Sequence, residues 1–182
     1  MRTRHSPLDS PLHSLAYRLG SSALFLAVGV LAVAWGFEIL GGYSACPLCL
    51  QQRCAYYFAI PVTVVALILC GAGHQRSAMW LLFAASLAFL ANAGLGTYHA
   101  GAEWKYWPGP DTCSGSASLS KTADGLLKQL ETTRVSRCDE APWRLLGLSF
   151  AGWNVVISLI LWITLLQAAF AAATPNRAVI LK

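Results

Sequence analysis

Polar residues are so sparse along most of this chain that the apolar runs define it. Runs near Ser21 to Leu40, Ala55 to Gly73, Ala78 to Tyr98 and Leu146 to Ala172 each supply about 20 residues of helix, the length that crosses a hydrocarbon core. The pattern predicts a single membrane domain over 1–182, with spans at about 21–40, 55–73, 78–98 and 146–172. One long connection remains, about 99–143, and it is too short for a substantial core of its own. Inside it, Leu119, Ala123, Leu126, Leu127 and Leu130 recur at helical spacing beside Lys121, Asp124, Lys128 and Glu131. That periodicity predicts a short amphipathic helix, lying on the outer leaflet or packed on the span ends. The expected fold class is an all-α integral membrane protein, a four-transmembrane-helix bundle.

Composition agrees with lipid as the solvent: the 182 residues are 56% hydrophobic and 12% charged, with a mean hydropathy of +0.53. Arg2, Arg4 and Arg18 ahead of the first run imitate a secretory signal. Its apolar part is long for that, and no small-x-small cleavage site with a polar segment follows before the cysteines, so a retained helix is expected.

Charge then orients the bundle. Arg2, Arg4, Arg18, Arg76, Arg177 and Lys182 face a single acid, Asp9, on one side, which is expected to be cytoplasmic and to hold both termini. On the other side Lys105, Lys121, Lys128, Arg134, Arg137 and Arg144 are matched by Glu103, Asp111, Asp124, Glu131, Asp139 and Glu140. The net charge of +5 thus reflects topology and gives no basis for a nucleic-acid partner. Trp104, Trp107 and Trp143 bracket the long connection where an interfacial aromatic belt is expected.

Cysteines bring in the chemistry. Cys46, Cys49, Cys113 and Cys138 fall on the outer face, where disulfides persist and an even set is expected to pair; Cys54 and Cys70 lie in the second span and read as small buried apolar residues. Two structural staples would satisfy the count. A bridge over only two intervening residues, however, removes little unfolded-chain entropy, so Cys46 and Cys49 suit a redox couple better. Pro47 fits the first turn of a helix, placing Cys49 in the opening turn of the second span, where the helix dipole favours a thiolate. Arg53, four residues beyond Cys49, either snorkels to the headgroups or meets an anion. His99 is a second candidate donor or a polar end-marker.

Such a pair must pass its electrons on. No haem attachment pattern, dinucleotide fingerprint or iron-sulfur spacing occurs, which leaves a lipid-soluble quinone as the candidate acceptor. No metal site is expected, because no His or acid cluster in the sequence completes one around Cys46 and Cys49. Glu38 reads as interfacial, with proton release as a lesser alternative, and Asn92 and Asn154 read as interhelical hydrogen-bond partners. Gly94 and Gly96 read as sites of close helix contact.

The run Cys46-Pro-Leu-Cys49-Leu-Gln-Gln-Arg53-Cys54, then Tyr98-His99-Ala-Gly-Ala-Glu103 leading through Trp107-Pro-Gly-Pro110 to Cys113, and Cys138-Asp-Glu-Ala-Pro-Trp143 before the last span, resembles the disulfide bond formation protein B (DsbB) family. The likeness covers roughly Leu40 to Asn154 in motif order and the whole chain in topology. It implies a thiol:quinone oxidoreductase of the bacterial inner membrane with its active face in the periplasm. Its partner would be a soluble thioredoxin-like, DsbA-like oxidase, and its electron sink the membrane pool of ubiquinone or menaquinone. The resemblance further implies a Cys113–Cys138 loop disulfide, with Cys113 joining the partner and Cys138 exchanging with Cys46. Cys49 would then be left as a thiolate against the quinone, with Arg53 stabilising the charge. The residues after His99 are small here, so quinone contacts just beyond it are not carried over. A vitamin K epoxide reductase relative resembles this in helix number, but there the loop cysteines precede the CxxC. A disulfide-stapled four-helix scaffold and a membrane metal-binding protein are the other classes considered.

Overall fold

The computed structural model describes residues 11–41, 45–109, 141 and 143–174. Four helices cross: α1 (Pro11–Ile39), α2 (Pro47–Gly71), α3 (Gln75–Glu103) and α4 (Phe150–Ala173), and a short hairpin, β1 (Arg144–Leu145) with β2 (Leu148–Ser149), leads into α4. All four are long and apolar enough to span a membrane. Two helices overrun the hydropathy pattern at the ends that matter most. α2 begins at Pro47, and α3 continues to Glu103. Both extensions carry polar residues that a hydropathy window discounts, and of these the bundle buries Gln52, His99 and Glu103. Cys113, Cys138 and the amphipathic segment over Leu119 to Leu130 lie outside the described residues.

Lipid provides no hydrophobic drive between helices, so close packing of small side chains has to hold them together. The core follows that rule: Ala16, Ala23, Ala27, Ala59, Ala66, Ala78, Ala85, Ala168 and Ala169 are buried around Leu82, Phe89, Leu161 and Leu165. Phe25, Val33, Phe58, Ile68, Trp80 and Phe170 instead face outward, as lipid-facing positions should. A methyl group on Gly96 would stand 2.9 Å from Val155 of α4, so Gly96 does permit a close α3–α4 approach; Gly94 has open space around it and plays no such part. Asn92 donates to Ser158 (2.9 Å) and Asn154 to Gln52 (2.6 Å), both between helices.

Helix ends are closed by recognisable devices. At the end of α2, His74 N–H donates to the Leu69 carbonyl and Gly73 N–H to that of Cys70, a Schellman closure with Gly73 at φ +84°. α3 ends the same way, with Tyr106 bonded to Gly101 and Lys105, at φ +61°, bonded to Ala102. Trp107 then folds back over Gly101, stacks on Tyr98 and donates its indole N–H to the Tyr98 carbonyl. The hairpin turns at Leu146 and Gly147, both at positive φ, the geometry of a type I′ turn. Trp143, just before the hairpin, packs with Phe37 of α1 and Phe150 of α4. Trp104, Trp107 and Trp143 are all partly exposed at this end of the bundle.

Candidate active site

A proline at N1 fixes where α2 starts, and everything at the site follows from that start. Pro47 needs no N–H partner there, so the preceding residue, Cys46, becomes the N-cap. Its sulfur takes the place a serine oxygen would occupy and accepts from the Cys49 amide at 3.2 Å. The second sulfur, that of Cys49, stands 2.9 Å away. Sequence reading put the favoured thiolate at Cys49; the helix start also favours one at Cys46, whose capping sulfur, one turn earlier, receives the Cys49 amide and the positive end of the helix dipole. The Cys46 thiol is accordingly drawn from 9.0 down to about 4, first by the hydrogen bond from Cys49, then by His99, with the Cys49 amide adding to this and burial opposing it.

His99 comes from α3 and is buried, with Nε2 at 3.7 Å from the Cys46 sulfur. Its other nitrogen is held by a chain of side chains from two helices, α2 and α4. The Tyr56 hydroxyl donates to Asn154 Oδ1 (2.8 Å), Asn154 Nδ2 donates to Gln52 Oε1 (2.6 Å), and Gln52 Nε2 faces His99 Nδ1 at 2.8 Å. Read in that direction every bond has one donor and one acceptor, so Nδ1 accepts and the imidazole proton sits on Nε2, directed at the Cys46 sulfur. One helical turn further along α3, Glu103 Oε1 lies 3.8 Å from the same Nε2. Its other oxygen accepts from Ser149, the N-cap of α4, whose hydroxyl oxygen also takes the Gly152 amide.

Arg53 is committed elsewhere. Its guanidinium pairs with Glu38 of α1 and reaches the Ala34 carbonyl at 3.4 Å, so the anion it meets is a carboxylate and not a sulfur. Glu38, read from sequence as interfacial, is thereby an interhelical ion-pair partner. Five N–H donors leave the guanidinium spare capacity after these two contacts.

Other residues depart from expectation. Glu103, counted from sequence among the loop acids, is buried inside α3. Cys54 is exposed on the outside of α2, bonded only to the Leu50 carbonyl one turn back, whereas Cys70 is buried as expected. Gln52 and Tyr56, which sequence reasoning missed, form the support of His99 together with Asn154, whose interhelical bonding was expected. The available signal was a glutamine pair, Gln51 and Gln52, inside an apolar span. The sequence also offered no third metal ligand, yet His99 joins Cys46 and Cys49 with all three donor atoms within 4.8 Å of one another.

The sequence matches the family model described as "Disulfide bond formation protein DsbB" over residues 18–168. It is 30% identical to disulfide bond formation protein B of Xanthomonas campestris pv. campestris (strain 8004), over 88% of this chain and 97% of that one. With disulfide bond formation protein B of Xanthomonas oryzae pv. oryzae (strain MAFF 311018) the identity is 31%, over 81% and 87%. Disulfide bond formation protein B of Marinobacter nauticus is 30% identical, over 72% of this chain and 78% of its own. No solved structure matches the chain. The four-helix membrane bundle, its CxxC at the mouth of α2 and these relatives agree, and the chain belongs to the DsbB family of disulfide bond formation proteins.

Proposed function

We propose that this protein is a dithiol:quinone oxidoreductase of the bacterial inner membrane. It would reoxidise a thioredoxin-like, DsbA-like oxidase on the periplasmic side and pass the electrons to ubiquinone or menaquinone. The observation that carries the reading is the Cys46–Cys49 pair at a helix N-terminus, with a buried histidine proton aimed at the capping sulfur. A stapled scaffold would have no use for that histidine or for the side chains that orient it.

Electrons move as thiol–disulfide exchanges. The reduced partner attacks the Cys113–Cys138 disulfide at Cys113, releasing Cys138 as a thiolate, and the partner's second thiol then resolves the mixed disulfide and leaves oxidised. Cys138 attacks Cys46 of the Cys46–Cys49 disulfide and expels Cys49. Cys113 next attacks Cys138, which restores the loop disulfide and expels Cys46. At that last step the N-cap position, the Cys49 amide and His99 make Cys46 a good leaving group, and leaving-group quality sets exchange rates. The sum is one partner disulfide formed and one Cys46–Cys49 dithiol left to be reoxidised.

Quinone supplies the two-electron, two-proton sink for that reoxidation. Arg53, partly covered between α1 and α2 with donors to spare, and the half-buried Cys49 fit a quinone edge at this end of the bundle. As quinone takes the two electrons and two protons, the Cys46 and Cys49 sulfurs, 2.9 Å apart in the dithiol, join again as the disulfide.

The test is to purify the protein in detergent, add a reduced thioredoxin-like oxidase and ubiquinone, and follow quinone absorbance. Reduction abolished by Cys49→Ser supports the path; no reduction by the native protein, or undiminished reduction by the variant, refutes it. Arg53→Ala is expected to raise the apparent quinone KM, and an unchanged KM would leave Arg53 as a purely structural partner of Glu38.

A further inference from the structure

The side chains around the reduced pair compose a donor set that does more than exchange disulfides. Two thiols and an imidazole nitrogen, Cys46 Sγ, Cys49 Sγ and His99 Nε2, stand within 4.8 Å of one another. A carboxylate oxygen, Glu103 Oε1, lies 3.8 Å from the imidazole nitrogen. In a tetrahedral zinc site, metal–ligand bonds of about 2.0–2.3 Å put neighbouring sulfur and nitrogen donors about 3.5 Å apart and sulfur pairs about 3.8 Å apart. The observed 3.7 Å from Cys46 to His99 already satisfies that spacing. The two sulfurs, at 2.9 Å, have to part to reach it.

We propose that the reduced site binds one zinc ion through Cys46, Cys49 and His99, with Glu103 as the fourth ligand, and that this binding reversibly blocks turnover. The proposal rests on reading Cys46 and Cys49 as the redox couple, since only the dithiol offers two thiolate ligands. Binding releases the proton of the Cys49 thiol and transfers no electrons, because zinc is redox-inert. Formation of the Cys46–Cys49 disulfide removes both sulfur ligands and must expel the ion.

The polar chain behind His99 suits this second use. A metal on Nε2 requires the imidazole proton on Nδ1 and an acceptor facing it, the arrangement that fixes most metal-bound histidines. Turning the Gln52 amide over presents Oε1 to Nδ1; the Asn154 amide turns with it, and Tyr56 accepts where it had donated. The same residues therefore support either tautomer.

The experiment uses the full chain in detergent, free of quinone, with Cys113→Ser and Cys138→Ser to remove the loop thiols. After reduction, zinc titrated against a competing chelator is expected to bind at one equivalent per chain. Cobalt(II) in its place is expected to show thiolate charge-transfer and tetrahedral ligand-field absorption. Oxidation of Cys46 and Cys49 should abolish binding in the same protein, a comparison that needs no further substitution. His99→Ala should weaken it by about 10–100-fold, the range found when a ligand's support is lost. Equal affinity in the oxidised and reduced states, no stoichiometric binding, or an affinity indifferent to His99→Ala would each overturn the site. Quinone reduction by the native protein should fall over the same free-zinc range and return on chelation, and activity insensitive to bound zinc would overturn the regulatory half. A protein that binds zinc but never reduces quinone would sink the proposed function and leave the metal site standing.

Discussion

A sulfur at an N-cap differs from the usual oxygen in what it can become. Serine stays neutral there, whereas Cys46 can carry a full charge and keep it. With its folded value near 4 against 9.0 unperturbed, Cys46 in the reduced protein should be a thiolate at every pH above about 5. The linkage has a sign: this charge stabilises the reduced fold in full above pH 9, less as pH falls, and not at all once pH drops through about 4. Ultraviolet thiolate absorbance of a reduced variant retaining only Cys46 and Cys49 should lose one thiolate in an acid step, and His99→Ala should move that step upward. A single step near pH 8–9 would remove the capping role. Gln52→Leu tests the histidine's support: the tautomer is no longer fixed, and kcat is expected to fall about tenfold or more with quinone KM unchanged. The two cysteines and Arg53 were legible because their relation is local, three and four residues apart on one helix. His99 was visible only as a candidate, and Gln52, Glu103, Ser149 and Asn154 not at all in these roles, since each acquires its meaning from a partner 46 to 102 positions away.

At the scale of elements, hydropathy located the spans and misjudged their ends. α2 starts at Pro47 and not near Ala55, because Gln51, Gln52 and Arg53 lower the apolar average, although Gln52 and Arg53 find partners inside the bundle. α3 runs past Tyr98 for the same reason, with His99 and Glu103 buried in its last turn. The hairpin before α4 left no sequence signal, since its turn uses leucine where a left-handed backbone ordinarily takes asparagine or glycine. Leu146, at φ +51° and largely exposed, sets its Cβ against the backbone for no packing return. Leu146→Gly should therefore raise stability by about 1 kcal/mol, read as the shift of a reversible unfolding transition in mixed detergent. An equal shift downward would mean that the leucine makes a lipid contact worth more than the strain.

For the whole molecule, the cation bias predicts which end faces the cytoplasm, and the fold makes that prediction testable at two described turns. Four spans put the α2–α3 turn and the residues after α3 on opposite sides of the bilayer. In a cysteine-free background, a membrane-impermeant maleimide applied to intact spheroplasts should label Pro108→Cys and spare His74→Cys. The reverse pattern would invert the orientation and separate the site from any periplasmic partner.

Trp143, wedged between Phe37 and Phe150, sets a radius. Cys138 is joined to it by five peptide units, so its Cα lies within about 18 Å of the Trp143 Cα. A reactant leashed so briefly meets its target at an effective concentration of order millimolar, independent of how many copies of the protein the membrane holds. In the relay proposed above, the exchange between loop and bundle is therefore first-order, and its rate should not change when the protein is diluted a thousandfold into empty lipid. Dilution would slow only the encounters with soluble partner and quinone.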